Sequence, residues 1–158
     1  MPDSLYDRDI LIWSEQQAEQ LRRLAAGERP NVPVDWENVI EELESVGRSE
    51  LSSCSSLLFQ AMLHLVKMAA YPNGSAANHW YIEISAMLDG ARRRFSPSMR
   101  QKLDLDRDYL KAVRAVVPRN DDVSLVSMHL QGCPFTLDEL LAEEPDLDAL
   151  IARVRAAA

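Results

Sequence analysis

Cysteine is scarce in this chain, and what there is does not pair into a pattern. Cys54 and Cys133 are the only two, far apart and outside any CxxC spacing, which argues against both a disulfide framework and a thiolate zinc site. Glycine is scarce too, at five residues. Together with many Leu, Ala, Glu and Arg residues, whose unbranched side chains lose little rotamer freedom in a helix, this favours helix over sheet. No alternating strand pattern and no internal repeat is present. The longest apolar stretch, Leu57 to Ala70, is interrupted by Gln60, His64 and Lys67. It is too short and too polar to span a bilayer, which takes about 20 residues. The first residues, Met1 to Asp7, lack the basic start and apolar run of a secretory signal, so a cytoplasmic location is expected. Basic residues are outnumbered 17 to 25 by acidic ones, and a net charge of −8 disfavours nonspecific nucleic-acid binding.

What is present is helical periodicity. Asp7 followed by Ile10, Trp13, Leu21 and Leu24 predicts a first helix over about residues 7–26. A connector with Pro30 and Pro33 leads to Asp35, which caps a long second segment. Its inward positions read Trp36, Ile40, Leu43, Gly47, Cys54, Leu58, Ala61, Leu65 and Met68, about nine turns of helix. Gly47 leaves a kink or break open, because glycine costs up to about 1 kcal/mol in a helix interior. After Tyr71 to Ser75 a third helix carries Trp80, Ile84, Met87 or Leu88, Ala91 and Phe95 on one face. Ser96-Pro97 predicts the start of a fourth, through Met99, Leu103, Leu110, Val113 and Val117. Pro118 to Gly132 reads as irregular or briefly helical. Thr136-Leu137-Asp138-Glu139 is a capping box, with Phe135 placed to staple onto Leu140, and Pro145 separates this short helix from a last one through Leu147, Leu150, Ile151 and Val154. The expected fold is an all-α, single-domain bundle of four main helices plus one or two short C-terminal ones, with one long central helix. Residues 1–142 form the bundle and residues 143–158 add a helix packed on it.

The long helix has two peculiarities. Ser49, Ser53, Ser56, Gln60, His64 and Lys67 fall within a band roughly 80° wide at 3.6 residues per turn. No Asp or Glu occurs between residues 51 and 82, while Glu37, Glu41, Glu42, Glu44 and Glu50 crowd the first half. The plainest reading of the band is a narrow solvent-facing seam on a mostly buried helix; a ligand groove or an interface is the alternative. Glu41, Glu44 and Arg48 suit a solvated, ion-paired face.

Known chemistries match poorly. Glu41 and Glu44 spell the ExxE of helical nucleotide pyrophosphatases, whose carboxylates hold magnesium, but the second acidic pair is missing. Di-iron bundles need Glu-x-x-His pairs, and Ala61, Ala76 and Val126 stand three residues before His64, His79 and His129. His79 and Glu83, four apart, read as a local pair, since two ligands make no closed metal site. No arginine precedes a histidine at the spacing of helical toxin ribonucleases, and GxSxG and Walker A patterns are absent. Cys133, with His129 nearby in sequence, would need a basic environment to become nucleophilic; a structural thiol is the better reading. Arg92, Arg93 and Arg94, followed by Arg100, Lys102 and Arg107, form the one basic cluster. It suits a helix C-terminus, with a phosphate or RNA contact as the alternative, and Tyr109 is the only aromatic near the basic residues after Phe95, so a base-stacking platform has little support.

Taken in order, Tyr6-Asp7-Arg8-Asp9 with Trp13, Asp35-Trp36-Glu37-Asn38 with Glu41, Glu42 and Glu44, Gly47-Arg48-Ser49-Glu50, Leu63-His64-Leu65 with Lys67, Trp80, Ile84, Ser96-Pro97-Ser98 and Cys133 to Leu141 resemble the bacterial domain of unknown function number 29. The resemblance covers about residues 5–142; the tail from Glu143 looks like an addition, and residues 72–78 depart from the charged stretch the family leads one to expect. It implies an all-helical bacterial protein without an assigned activity; separately, the residues lead one to expect no cofactor. It also directs attention to the long helix, where Glu41, Glu44, Arg48, Glu50, Gln60, His64 and Lys67 form a candidate ligand or interface face. The expectation is a non-catalytic interaction module, self-associating or binding an unidentified protein partner. Its rivals are a metal- or nucleotide-dependent hydrolase on the acidic and histidine face, and RNA binding through Arg92, Arg93 and Arg94.

Overall fold

The computed structural model describes residues 4–116 and 132–157; Val117 and the stretch to residue 131, with His129, lie outside the described residues. Every regular element among the described residues is helical. Two compact units divide the chain, Met1–Ser49 and Glu50–Ala158.

The first unit opens with α1 (Leu5–Arg8), closed by a reciprocal capping box between Ser4 and Asp7. A second helix, α2 (Ile10–Ala25), starts at once because the Asp9 carboxylate accepts from the Ile12 amide at 3.0 Å. The single helix expected from Asp7 is therefore two. Asp7 serves as the third residue of a capping box, and Asp9, whose backbone leaves the helical region at φ −153° and ψ 86°, breaks the run. α2 ends in a Schellman turn: the Glu28 amide donates to the Arg23 carbonyl and the Gly27 amide to that of Leu24, with Gly27 at φ +81°, a left-handed conformation that glycine adopts without steric cost.

α3 (Trp36–Ala70) is one uninterrupted 35-residue helix. Gly47 introduces no break, and a Cβ built there would meet nothing within 4 Å. Asp35 caps it, as the sequence predicts: its carboxylate accepts from the Asn38 amide at 3.5 Å and the Asn38 side chain at 2.7 Å.

In the second unit α3 is followed by α4 (Ala77–Arg94). Ser96-Pro97 then yields only a short 3-10 turn, Pro97–Met99, in which Ser96 makes no capping bond. The fourth helix, α5 (Leu105–Val116), starts later, where the Asp104 carboxylate accepts from the Arg107 amide at 3.0 Å. The Ser96 hydroxyl lies 3.3 Å from that of Ser98 and makes no bond to a first-turn amide. α6 (Leu137–Leu140) carries the expected Thr136/Glu139 capping box, and α7 (Leu147–Ala156) is capped by Asp146.

Burial corrects the sequence reading on one point of consequence. Along α3, Cys54, Leu58, Ala61 and Leu65 are buried as expected, and join Ile84, Leu88 and Ala91 of α4, Tyr109, Ala112 and Val113 of α5, and Leu150 and Val154 of α7 in one core. Earlier members of the same periodic series are not inward at all: Trp36 is 54% exposed, Ile40 53% and Leu43 70%, and neighbouring Val46 is 61%. Among the described residues of the first unit only Trp13, Val34 and Val39 form a buried cluster, with Leu5, Tyr6 and Leu21 against it. Two short helices and the start of α3 supply too little surface to cover the rest.

Candidate functional site

The last turns of the polar band on α3, at His64 and Lys67, form a seam against α4. Lys67 Nζ lies 5.7 Å from the Trp80 ring centroid, a cation–π separation, and His64 Nε2 lies 3.1 Å from Glu83 Oε2. His79 Nε2 approaches the other oxygen of Glu83 at 3.2 Å, so the His79–Glu83 pair expected from spacing exists but is shared with His64. The His64 side chain is 12% exposed, and its Nδ1 sits 2.8 Å from the Gln60 carbonyl oxygen. Both ring nitrogens thus face acceptors. Gln60 in turn donates to Ser56 Oγ at 3.1 Å, while Ser49 and Ser56 face solvent. Among the described residues no group of three or more His, Cys, Asp or Glu side chains is placed to hold a metal ion.

The other candidate residues do not join this seam. At about 100° per residue, Glu41, Glu44 and Arg48 stand roughly 130° around the helix from Gln60, His64 and Lys67. Glu44 and Arg48 form an exposed i,i+4 pair at 3.5 Å, of the kind that adds little stability, and Glu41 is exposed. Both carboxylate oxygens of Glu50 accept from one guanidinium nitrogen of Arg94, Nη1, each at 3.1 Å. Arg92 and Arg93 converge on Asp89 at 2.8 and 2.6 Å, and the Arg92 guanidinium holds the Asp89 carboxyl below its ordinary range. Each arginine of the basic cluster therefore already has a carboxylate partner.

Cys133 is half-buried. Burial pushes its thiol up to about 11, and the nearby carboxylates of Asp106 and Glu139 push the same way, the reverse of an activated nucleophile. Gly132 at φ +110° turns the chain so that the Cys133 amide donates to Asp106 at 2.7 Å, a role in holding the loop. An open groove of about 390 Å³ runs beside α5, lined by Ser52, Ser55, Phe59, Arg107, Asp108 and Lys111 among others. Asp108 in it is buried but satisfied, accepting from Ser55 Oγ at 3.3 Å and Arg107 Nε at 3.2 Å.

The best-organised polar set lies in the first unit and went unrecognised in the sequence. Trp13 Nε1 donates to Asp35 Oδ2 at 3.1 Å; the Asp35 amide donates to Gln17 Oε1 at 2.9 Å; Tyr6 packs edge-on against Trp13 at 4.8 Å and donates its hydroxyl to Glu42 at 2.6 Å. The Asn38 side-chain bond, aided by Trp13, lowers the Asp35 carboxyl from its ordinary value despite some desolvation. No spacing rule joins positions 6, 13, 35 and 42. Their one signal is that all fall in the segments through which the chain resembles a family, and that family is now shown. The pattern described as Domain of unknown function DUF29 matches residues 5–144.

The chain belongs to the DUF29 family. The tyrosine, tryptophan, aspartate and glutamate of this network all lie within the matched residues. An alpha-helical protein of unknown function from Rhodospirillum rubrum, known from a crystal structure, is 27% identical to this DUF29 chain with a TM-score of 0.64, over 95% of this chain and 97% of that one. No curated protein matches it. Among the described residues of the DUF29 chain no helix is long and apolar enough to cross a membrane.

The Tyr6–Glu42 bond has a pH consequence. Accepting into Glu42 favours the protonated phenol, and the hydrogen bond, burial and the carboxylate charge raise Tyr6 from 10.0 to about 12. A folded-state value above the unfolded one gives stability that is fully present below pH 10 and lost as pH rises toward about 12. Thermal melts followed by circular dichroism across that window should show a decline that is shallower in Tyr6→Phe; equal declines would rule the bond out as a cause.

Proposed function

We propose that the protein is a non-catalytic interaction module whose binding surface is the bare apolar stripe of α3 in the first unit. One observation carries this reading: Trp36, Ile40, Leu43 and Val46 are each more than half exposed on a helix whose later turns bury the same periodic positions. Scattered exposed apolar residues are ordinary, whereas a contiguous patch of this kind is characteristic of association surfaces. The residues a hydrolase would need on α3 point in different directions, and the arginines an RNA site would need are engaged with carboxylates. The two cysteines are free, which suits a reducing compartment and supports a cytoplasmic location.

Leu43→Glu tests the reading. Placing a charge in the centre of the stripe should weaken association at least tenfold, because burying a leucine is worth about 1.5–3 kcal/mol and about 1.4 kcal/mol is a factor of ten. Gel filtration with light scattering and a pull-down, run on both forms, read the loss; circular dichroism checks that the fold is intact. A wild-type chain that is monomeric and retains no protein overturns the proposal.

A further inference from the structure

We infer that the occupant of the stripe is a second copy of this chain, its α3 running antiparallel across a two-fold axis; this rests on the interaction-module reading above. The stripe is self-complementary in size. Trp36 is its largest member and Gly47, one end to the other, its smallest, and above Gly47 there is open space for a side chain. A single two-fold axis crossing α3 midway between Ile40 and Leu43 sets Trp36 opposite Gly47 of the other copy and Ile40 opposite Leu43. Each indole then fills the gap that the missing Cβ leaves. Parallel pairing in register would set indole against indole at one end and leave a void between two glycines at the other, which packs worse.

Area and charge agree with this arrangement. Trp36, Ile40, Leu43 and Val46 leave on the order of 500 Å² of apolar surface bare. Two such faces together bury about 1,000 Å², the size at which a specific interface begins. An isologous contact needs only one patch, because each copy presents the same residues to the other. Reversing the direction also brings Arg48 of one copy to within two residues of the level of Glu37 on the same flank of the other, about 3 Å along the axis. That cross-pair sets opposite charges at both ends of the seam, against the repulsion of the remaining glutamates.

The test uses the full chain by analytical ultracentrifugation over a range of concentrations, as wild type, Gly47→Leu and Trp36→Ala. The expected result is a wild-type dimer that each substitution weakens at least tenfold. At concentrations where both forms are monomeric Gly47→Leu should keep an unchanged or higher thermal midpoint, since leucine is a better helix former than glycine and nothing within 4 Å opposes the new side chain. Orientation is read by mixing Ile40→Cys with Leu43→Cys under mild oxidation, where antiparallel pairing predicts mixed cross-links. A dimer indifferent to Gly47→Leu, or Ile40→Cys cross-linking chiefly to itself, overturns the pairing. A wild-type monomer at every concentration overturns the second copy as occupant; whether the interaction-module reading also falls is then decided separately by the Leu43→Glu pull-down.

Discussion

Trp13→Ala is expected to remove about 3–5 kcal/mol of stability from the first unit, the range for truncating a buried tryptophan. The indole is 5% exposed and is the largest of three buried residues in its cluster, with Val34 and Val39, so nothing nearby can collapse into the space. Truncation also takes the Nε1 donor from Asp35 and the edge contact from Tyr6. Trp13→Phe separates the two contributions. It keeps most of the buried area and loses the donor, and because Asp35 still accepts from Asn38, the loss from the missing bond should be about 1 kcal/mol. Amide hydrogen exchange is the discriminating measurement. In Trp13→Ala, protection should fall across residues 10–48 while Ala61 to Val66 and Ile84 to Ala91 keep theirs. Uniform loss through both stretches would show that the two units unfold only together.

Leu58→Ala should cost about 2–5 kcal/mol, read as a thermal midpoint lower by roughly 5–15 °C for a chain of this length. Leu58 is 1% exposed within the larger core. The informative comparison is Leu43→Ala, which sits in the same periodic series but is mostly exposed. Measured at concentrations where light scattering detects only monomer, it should change stability by no more than about 0.5 kcal/mol. Similar costs for the two leucines would mean that Leu43 is covered within one chain, and would remove the bare stripe on which the proposed function stands.

These two leucines show where periodicity stops being informative. Spacing of three and four residues states that Leu43 and Leu58 share a face of one helix, which is correct. It cannot state whether another element lies against that face, because covering depends on residues distant in sequence: Ile84, Tyr109 and Val154 join the core of the second half of α3, and among the described residues of the first unit nothing equivalent covers Trp36, Ile40 and Leu43. The candidate face divides for a related reason. Glu41, Glu44 and Arg48 were grouped with Gln60, His64 and Lys67 because they share a helix and a family resemblance, yet helical rotation alone already separates them. The histidine seam needed one more fact, that Glu83 on α4 turns toward His64 as well as His79, and only the docking of α4 supplies it.

Caps behaved differently. The Thr136 box and the Asp35 cap act within four residues, so local sequence contains everything that decides them. Ser96-Pro97 has the right letters, yet the Ser96 hydroxyl turns to Ser98 rather than to a first-turn amide, and at the amino end Asp9 outcompeted Asp7 because Ser4 had already claimed the latter. Each such error is a competition between two nearby hydrogen bonds of similar strength, which composition cannot rank.

By itself, then, the sequence determined an all-helical chain, the long helix from Asp35 to Ala70, most caps, and membership of DUF29, since all of these rest on short-range spacing or on the order of motifs. Tertiary structure alone decided which apolar residues are covered, that Arg92, Arg93 and Arg94 are spent on Asp89 and Glu50, and that Tyr6, Trp13, Asp35 and Glu42 form one network. Those are contacts between residues far apart along the chain, and a pattern with a period of a few residues has no term in which to express them.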